Sequence, residues 1–170
     1  MGPVGGRGRA DLPPFEAFLE RHRRTVYRFL LAAVGPAEVD DVFQETFLAA
    51  LRAYPSLRHG ERLDRWILRI ATRKAIDAHR ARARRPVPSE AARDMAEERP
   101  APPTARLDGD DPLWRAVRAL PPRQRAAVVH RHVLDRSYAE IAALMDCSEE
   151  AARANVHQGV KRLRELVGER

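Results

Sequence analysis

The chain has 170 residues, room for one medium domain or two small ones, and 32% of them are charged. A formal charge of +7 and an isoelectric point near 10.6 favour a polyanionic partner, usually nucleic acid, although a merely soluble basic protein has the same totals. One cysteine, Cys147, excludes an intramolecular disulfide, and the nearest histidines, His130 and His132, point apart on a helix, so neither metal nor cofactor is expected. No apolar run approaches the roughly 20 residues that span a bilayer. Residues 1–12 lack an apolar signal-peptide core and are expected to be a disordered tail on a cytoplasmic protein with no membrane insertion.

Helical periodicity begins with Phe15, Phe18, Leu19, Val26, Phe29, Leu30 and Val34 and closes near Gly35-Pro36. A second helix carries Val39, Val42, Phe43, Thr46, Phe47, Ala50, Leu51 and Tyr54 and stops before Pro55. A third runs from about Arg62 to about Arg85, and these three make a block over 13–85. Residues 86–111 are rich in proline and acids and almost empty of large apolar side chains, the composition of a linker.

The second block, 112–170, is punctuated explicitly. Asp111-Pro112 reads as an N-cap followed by proline at the first helical position. Pro121-Pro122 ends that helix and starts another that runs to about Leu134. Ser137-Tyr-Ala-Glu140 is a capping box opening a helix that buries Ile141 and Leu144. Asp146 occupies the left-handed position of the next turn, and Ser148 caps the last helix, with Glu149 and Glu150 at its positive end. No segment alternates with period two, so the fold class is all-α: two small helical domains joined by a flexible linker.

Two helices and a tight turn, the second helix polar and basic, form a helix-turn-helix that enters a major groove. On the last helix Ala152, Val156, Gly159, Leu163 and Leu166 share the packing side. Glu150, Arg153, Ala154, Asn155, His157, Gln158, Lys161, Arg162 and Arg164 lie on the opposite side or its edges. Arg153, Asn155, His157 and Gln158 are placed for base edges, and Lys161 and Arg162 for phosphates. On the third helix Arg69, Arg73 and Arg80 line a stripe opposite Ile67, Ala71, Ala75 and Ala78 and beside Trp66, a pattern suited to stacking on and binding a strand. The second helix contrasts: Asp41, Gln44, Glu45 and Leu48, with Asp40 adjacent, form an acidic face that repels DNA and suits a protein partner.

The ordered series DDVFQETFLAAL, DRWILRIATRKAIDAHRARARR, LPPRQRAAVV and SYAEIAALMDCSEEAARANVHQGVKRLREL resembles the extracytoplasmic-function sigma factors, the smallest sigma factors of bacterial RNA polymerase. The resemblance covers nearly everything but the N-terminal tail and the linker. It implies that 13–85 is sigma region 2 and 112–170 is sigma region 4. Asp40, Asp41, Gln44, Glu45 and Leu48 would then dock on the clamp of the polymerase largest subunit, with the flap as a further contact. Trp66, Arg69, Arg73, Lys74, Asp77 and Arg80 would read and help open the −10 element, and the loop 55–63 would capture a flipped base. Ser148, Glu150, Arg153, Asn155, His157, Gln158, Lys161 and Arg162 would serve the −35 element. The acidic linker would pass toward the RNA exit path, and an anti-sigma factor is a family-level expectation.

Several positions depart from the family pattern. Arginines are common there at the places of Asn155, Gln158 and Val160, glycine at Asp146 and asparagine at Arg73. Gly159 inside a helix costs about 1 kcal/mol relative to alanine. An unusual −35 sequence, or a greater dependence on the arginine-rich helix at 66–85, is the consequence expected. A stand-alone regulator using only the second block is the alternative function, and it leaves the first block unexplained. A nuclease using Asp40, Asp41 and Glu45 as metal ligands has no converging second segment to complete the site.

Overall fold

The computed structural model describes residues 12–58, 62–84 and 111–168. The tail at 1–12 and the linker at 86–111 therefore fall outside the described residues, except for Leu12 and Asp111 at their edges, as do residues 59–61 of the loop 55–63.

Helix α1 (Phe15–Val34) ends at Gly35, whose N–H donates to the Leu31 carbonyl at 3.0 Å. Gly35 has φ +89°, a conformation that favours glycine, and a Cβ there would lie 2.8 Å from Cδ of Arg118. Helix α2 (Val39–Ala53) passes into a 3-10 turn at Tyr54–Ser56, and α3 spans Leu63–Arg84. The aromatic end of this block is held by Phe18, which lies 5.1 Å from Tyr54 and 5.7 Å from Trp66, centroid to centroid.

In the second block, the Asp111 carboxylate accepts the Leu113 N–H at 2.7 Å and starts α4 (Pro112–Ala119). Helix α5 (Pro122–His132) stops two residues short of the Leu134 expected from periodicity. There the chain turns, with Asp135 at φ +51° and the Arg136 N–H donating to the His130 carbonyl at 3.0 Å. The capping box forms as expected: the Ser137 hydroxyl accepts from the Glu140 N–H and the Glu140 carboxylate accepts from the Ser137 N–H, opening α6 (Tyr138–Met145). Asp146 is left-handed at φ +50°, and the Ser148 hydroxyl accepts the Ala151 N–H at the start of α7 (Glu149–Gly168).

Gly159 explains its own cost. A Cβ there would sit 2.6 Å from Val128 Cγ2, so the missing side chain lets α7 lie directly on α5. The packing stripe of α7 holds as far as Leu163, whereas Leu166, expected on the packed side, is 42% exposed.

The two blocks pack against each other. Val117, Val129 and Leu144 belong to the same buried cluster as Phe18, Phe29, Leu30, Ile67 and Leu68 of the first block. A second cluster, built from Ala126, Ile141, Met145, Ala152 and Val156, is covered in part by Ile76 of α3. Helix α3 therefore packs on α1 and α2 of its own block and on α5 and α6 of the other, while α1 also touches α4 and α5.

Candidate nucleic-acid and protein interfaces

Three faces expected from the sequence are found on α2, α3 and α7, and they stand in different states. On α2, Asp40, Asp41, Gln44 and Glu45 are exposed and Leu48 is 44% exposed. Leu51, which periodicity assigned to the core, is 49% exposed and extends this face by one turn. Exposed leucines beside acids suit a protein surface that offers both an apolar contact and positive charge. Asp40 hydrogen-bonds the Tyr27 hydroxyl; burial first, then this carboxylate, raises the Tyr27 pKa above its ordinary value. Glu45 faces Lys74 of α3 across 3.5 Å, so the acidic face and the basic helix touch at their border.

On α3, Arg69, Arg73, Asp77 and Arg80 are exposed and Lys74 and Trp66 are half-buried. The Trp66 ring packs between Phe18 and Tyr54, centroids 5.7 and 6.1 Å away. Arg69 and Arg73 both donate to the carboxylate of Asp146, Arg73 at 2.5 Å and Arg69 from both Nε and Nη2. The hydrogen bond from Arg73, then those from Arg69, lower the Asp146 pKa against its desolvation. One turn earlier Arg65 lies 4.0 Å from Glu140. Thus Arg65, Arg69 and Arg73, spaced four residues apart, face Glu140 at the start of α6 and Asp146 at its end.

On α7, Glu150, Arg153, His157, Gln158, Lys161 and Arg162 are exposed, and Ser148 is used as the cap. Asn155 differs from the expectation of a base contact, because its amide Nδ2 donates back to the Ala151 carbonyl at 2.8 Å. Gln158 accepts from Gln124 Nε2 at 3.2 Å. Arg153 donates to Glu149 at 3.2 Å and lies over the Tyr138 ring at 4.6 Å, which fixes its position at the turn. Among the described residues, no acid lies within ion-pair distance of Lys161 or Arg162.

The junction between blocks is built from groups whose role no local pattern reveals. His130 is fully buried, stacked on Phe29 with centroids 4.3 Å apart. Thr72 donates to the Leu68 carbonyl at 2.6 Å, so its oxygen accepts the Nε2–H of His130 at 2.8 Å, which makes the imidazole the neutral Nε2–H tautomer. Burial, and then the charge of Arg136, push the His130 pKa down to about 3. Arg125, also buried, donates to the carbonyls of Ala33, Arg118 and Leu120 and to Nδ1 of His79, tying α1, α3 and α4 to α5. Burial lowers its pKa to about 10, so it stays charged at neutral pH, held against carbonyl oxygens at the end of α1.

Two helical blocks, an acidic leucine face and two basic helices are the layout expected of a promoter-specificity subunit of the sigma-70 class. Residues 18–85 match the family of sigma-70 region 2, and residues 110–163 match the family of sigma-70 region 4. The chain is 37% identical to the RNA polymerase sigma factor CarQ of Myxococcus xanthus, over 91% of this chain and 90% of that one. It is 30% identical to the ECF RNA polymerase sigma-E factor of Escherichia coli, over 87% and 83% of the two chains. A solved structure with a similar fold is the sigma factor RpoE of Bartonella quintana in complex with the anti-sigma factor NepR. It aligns with TM-score 0.66 and 22% identity over 91% of this chain and 97% of that one. The chain belongs to the extracytoplasmic-function sigma factors, which bind core RNA polymerase and direct it to promoters.

Among the described residues, no helix is long and apolar enough to cross a membrane. No group of three or more His, Cys, Asp or Glu among them is arranged to hold a metal ion.

Proposed function

We propose that the labour of this sigma factor divides by face. The face of α2 with Asp40, Asp41, Gln44, Glu45, Leu48 and Leu51 docks on the polymerase clamp. Helix α3, through Trp66, Arg69, Arg73, Lys74, Asp77 and Arg80, engages the −10 element. Helix α7, through Arg153, His157, Gln158, Lys161 and Arg162, engages the −35 element, with region 4 also resting on the flap. Region 2 comprises 13–85 and region 4 comprises 112–170. The protein works in the cytoplasm and by binding alone: exposed bases and strand backbone bind it better than duplex does, and that difference drives melting.

The supporting observation is the segregation of charge, acids with exposed leucines on α2 and arginines on α3 and α7. Nucleic acid and a protein therefore have separate places on one scaffold. An anti-sigma partner belongs to the same reading, since the Bartonella quintana sigma factor was solved with one. The test pairs two double variants. Asp41→Ala with Glu45→Ala is expected to weaken binding to core polymerase about tenfold or more, leaving duplex binding unchanged. Lys161→Ala with Arg162→Ala should leave core binding intact and reduce promoter duplex binding by the holoenzyme. If both pairs give one common defect, the division is wrong.

A further inference from the structure

Helix α7 carries two amides, Asn155 and Gln158, and they are used differently. Asn155 turns back on its own helix, donating to the Ala151 carbonyl at 2.8 Å. Gln158 is exposed, and its Oε1 accepts from Nε2 of Gln124, on α5, at 3.2 Å. The bond crosses between helices, so a residue outside the reading helix sets the direction of a side chain on it. The other end of the Gln124 amide is closed off: its Oε1 is buried and has no hydrogen-bond partner among the described residues. Among those residues the Gln124 side chain bonds to Gln158 alone.

Close packing brings the pair together. A Cβ at Gly159 would lie 3.4 Å from the Gln124 carbonyl oxygen and 3.5 Å from the Gln124 Cβ. The backbone next to Gln158 therefore rests directly against Gln124. Gln124 itself stands in the first turn of α5, just after Pro121 and Pro122, where the chain direction is fixed by proline. A buried amide oxygen without a partner is a cost that an apolar side chain of similar size would not incur. What such a side chain would lack is the nitrogen that reaches Gln158.

The chemistry of an amide makes its direction matter. A free glutamine can turn its amide over and offer either a donor or an acceptor at a given place. An amide oxygen has two lone pairs, so Oε1 of Gln158 keeps one for DNA after accepting from Gln124, and Nε2 keeps both hydrogens. In the major groove adenine presents the acceptor N7 beside the donor N6, a pair that one glutamine amide matches. Guanine presents two acceptors, N7 and O6, and would set O6 against the pinned Oε1. We propose that Gln124 is a positioning residue that pins the Gln158 amide, so that α7 reads an adenine in the −35 element and rejects guanine there. This deepens the assignment of α7 to the −35 element and rests on it.

The test uses holoenzyme assembled from core polymerase and the full chain, selecting from a pool of DNA duplexes randomised across the promoter length. Gln158→Arg identifies the base pair concerned, because an arginine at that place favours guanine. With the parent chain the base at that position should be adenine. Gln124→Met keeps the bulk and removes the donor. It should lower the adenine-to-guanine ratio there about fivefold or more, with the other positions and core binding unchanged. Gln124→Glu is a second variant of nearly the same shape. It accepts instead of donating, turns the Gln158 amide over, and should lower the ratio as well. A loss of stability alone would weaken binding to every sequence and leave the ratio in place. A ratio unchanged in both Gln124 variants overturns the pin, as does a base other than adenine at the position that Gln158→Arg moves. In either case α7 remains the −35 reader. If Gln158→Arg moves no position, and Lys161→Ala with Arg162→Ala leaves an upstream element enriched, the assignment of α7 itself fails and the pin with it.

Discussion

Helices α3 and α7 both carry a cationic face expected for DNA, and they are found in opposite conditions. The face of α7 looks outward, with Lys161 and Arg162 clear of any described acid. On α3, Arg69 and Arg73 pair with Asp146 of the second block while staying partly exposed. The difference does not come from the helices, which are both long, amphipathic and rich in arginine. It comes from what packs beside them. Helix α7 packs on α4, α5 and α6 of its own block, whereas α3 packs on helices of both blocks and pairs two of its arginines with Asp146. A basic helix is thus a DNA contact only as far as its neighbours leave it open.

The contrast depends on the junction, and the largest effect should come from removing its buried ring. His130→Ala deletes the partner of both Phe29 and Thr72 and is expected to cost about 3 kcal/mol, in the range of large-to-small changes in cores. Thermal denaturation measures that loss. Hydrogen exchange should show α3 amides near Thr72 losing protection more than those of α1 near Phe18; uniform loss throughout would mean that the junction is not a separable unit.

A smaller effect follows from acidification. The His130 pKa is depressed in the closed arrangement to about 3, chiefly by burial. Closure therefore gains stability that is fully present above the ordinary histidine range and is lost as pH falls through about 6.5 toward the depressed value. Asp146, whose pKa is lowered by Arg73, adds a contribution of the same sign at still lower pH. Taking the chain from about pH 7.5 to about pH 5.5 should weaken the packing of the two blocks on each other about tenfold. Small-angle scattering reads that weakening, and His130→Gln should flatten it.

The smallest effect concerns the open face. Lys161→Ala or Arg162→Ala, each removing one phosphate contact, should lower the salt-dependence slope of duplex binding by about one unit. Neither should alter the affinity of the free chain for single strands through α3. A change there would show that the two faces are not independent.

The candidate sites were legible to different depths. The acidic face of α2 was readable because acids and leucine recur at helical spacing, but Leu51 was misplaced, since periodicity says which residues share a side and not how far the neighbouring helix reaches. On α7, Asn155 has the right register for a base contact, yet its amide bonds its own helix at 2.8 Å. Short polar side chains compete for backbone carbonyls, and pattern alone does not decide that competition. Gly159 looked like a flaw in a helix and is a packing requirement, visible only once Val128 is beside it.

By itself the sequence determined the local structure: the helices, the capping box at Ser137 and Glu140, the left-handed Asp146, the cap at Ser148, and the family. These depend on hydrogen bonds and periodicities within a few residues, which the order of amino acids states directly. Only the tertiary structure decided that Arg125 and His130 are buried ties between the blocks and that Asp146 closes on Arg69 and Arg73. Those partners are separated by more than 45 residues of chain, His79 with Arg125 being the nearest such pair at 46. Nothing local encodes which distant surfaces meet, because that choice is made by burial of apolar area summed over the whole fold.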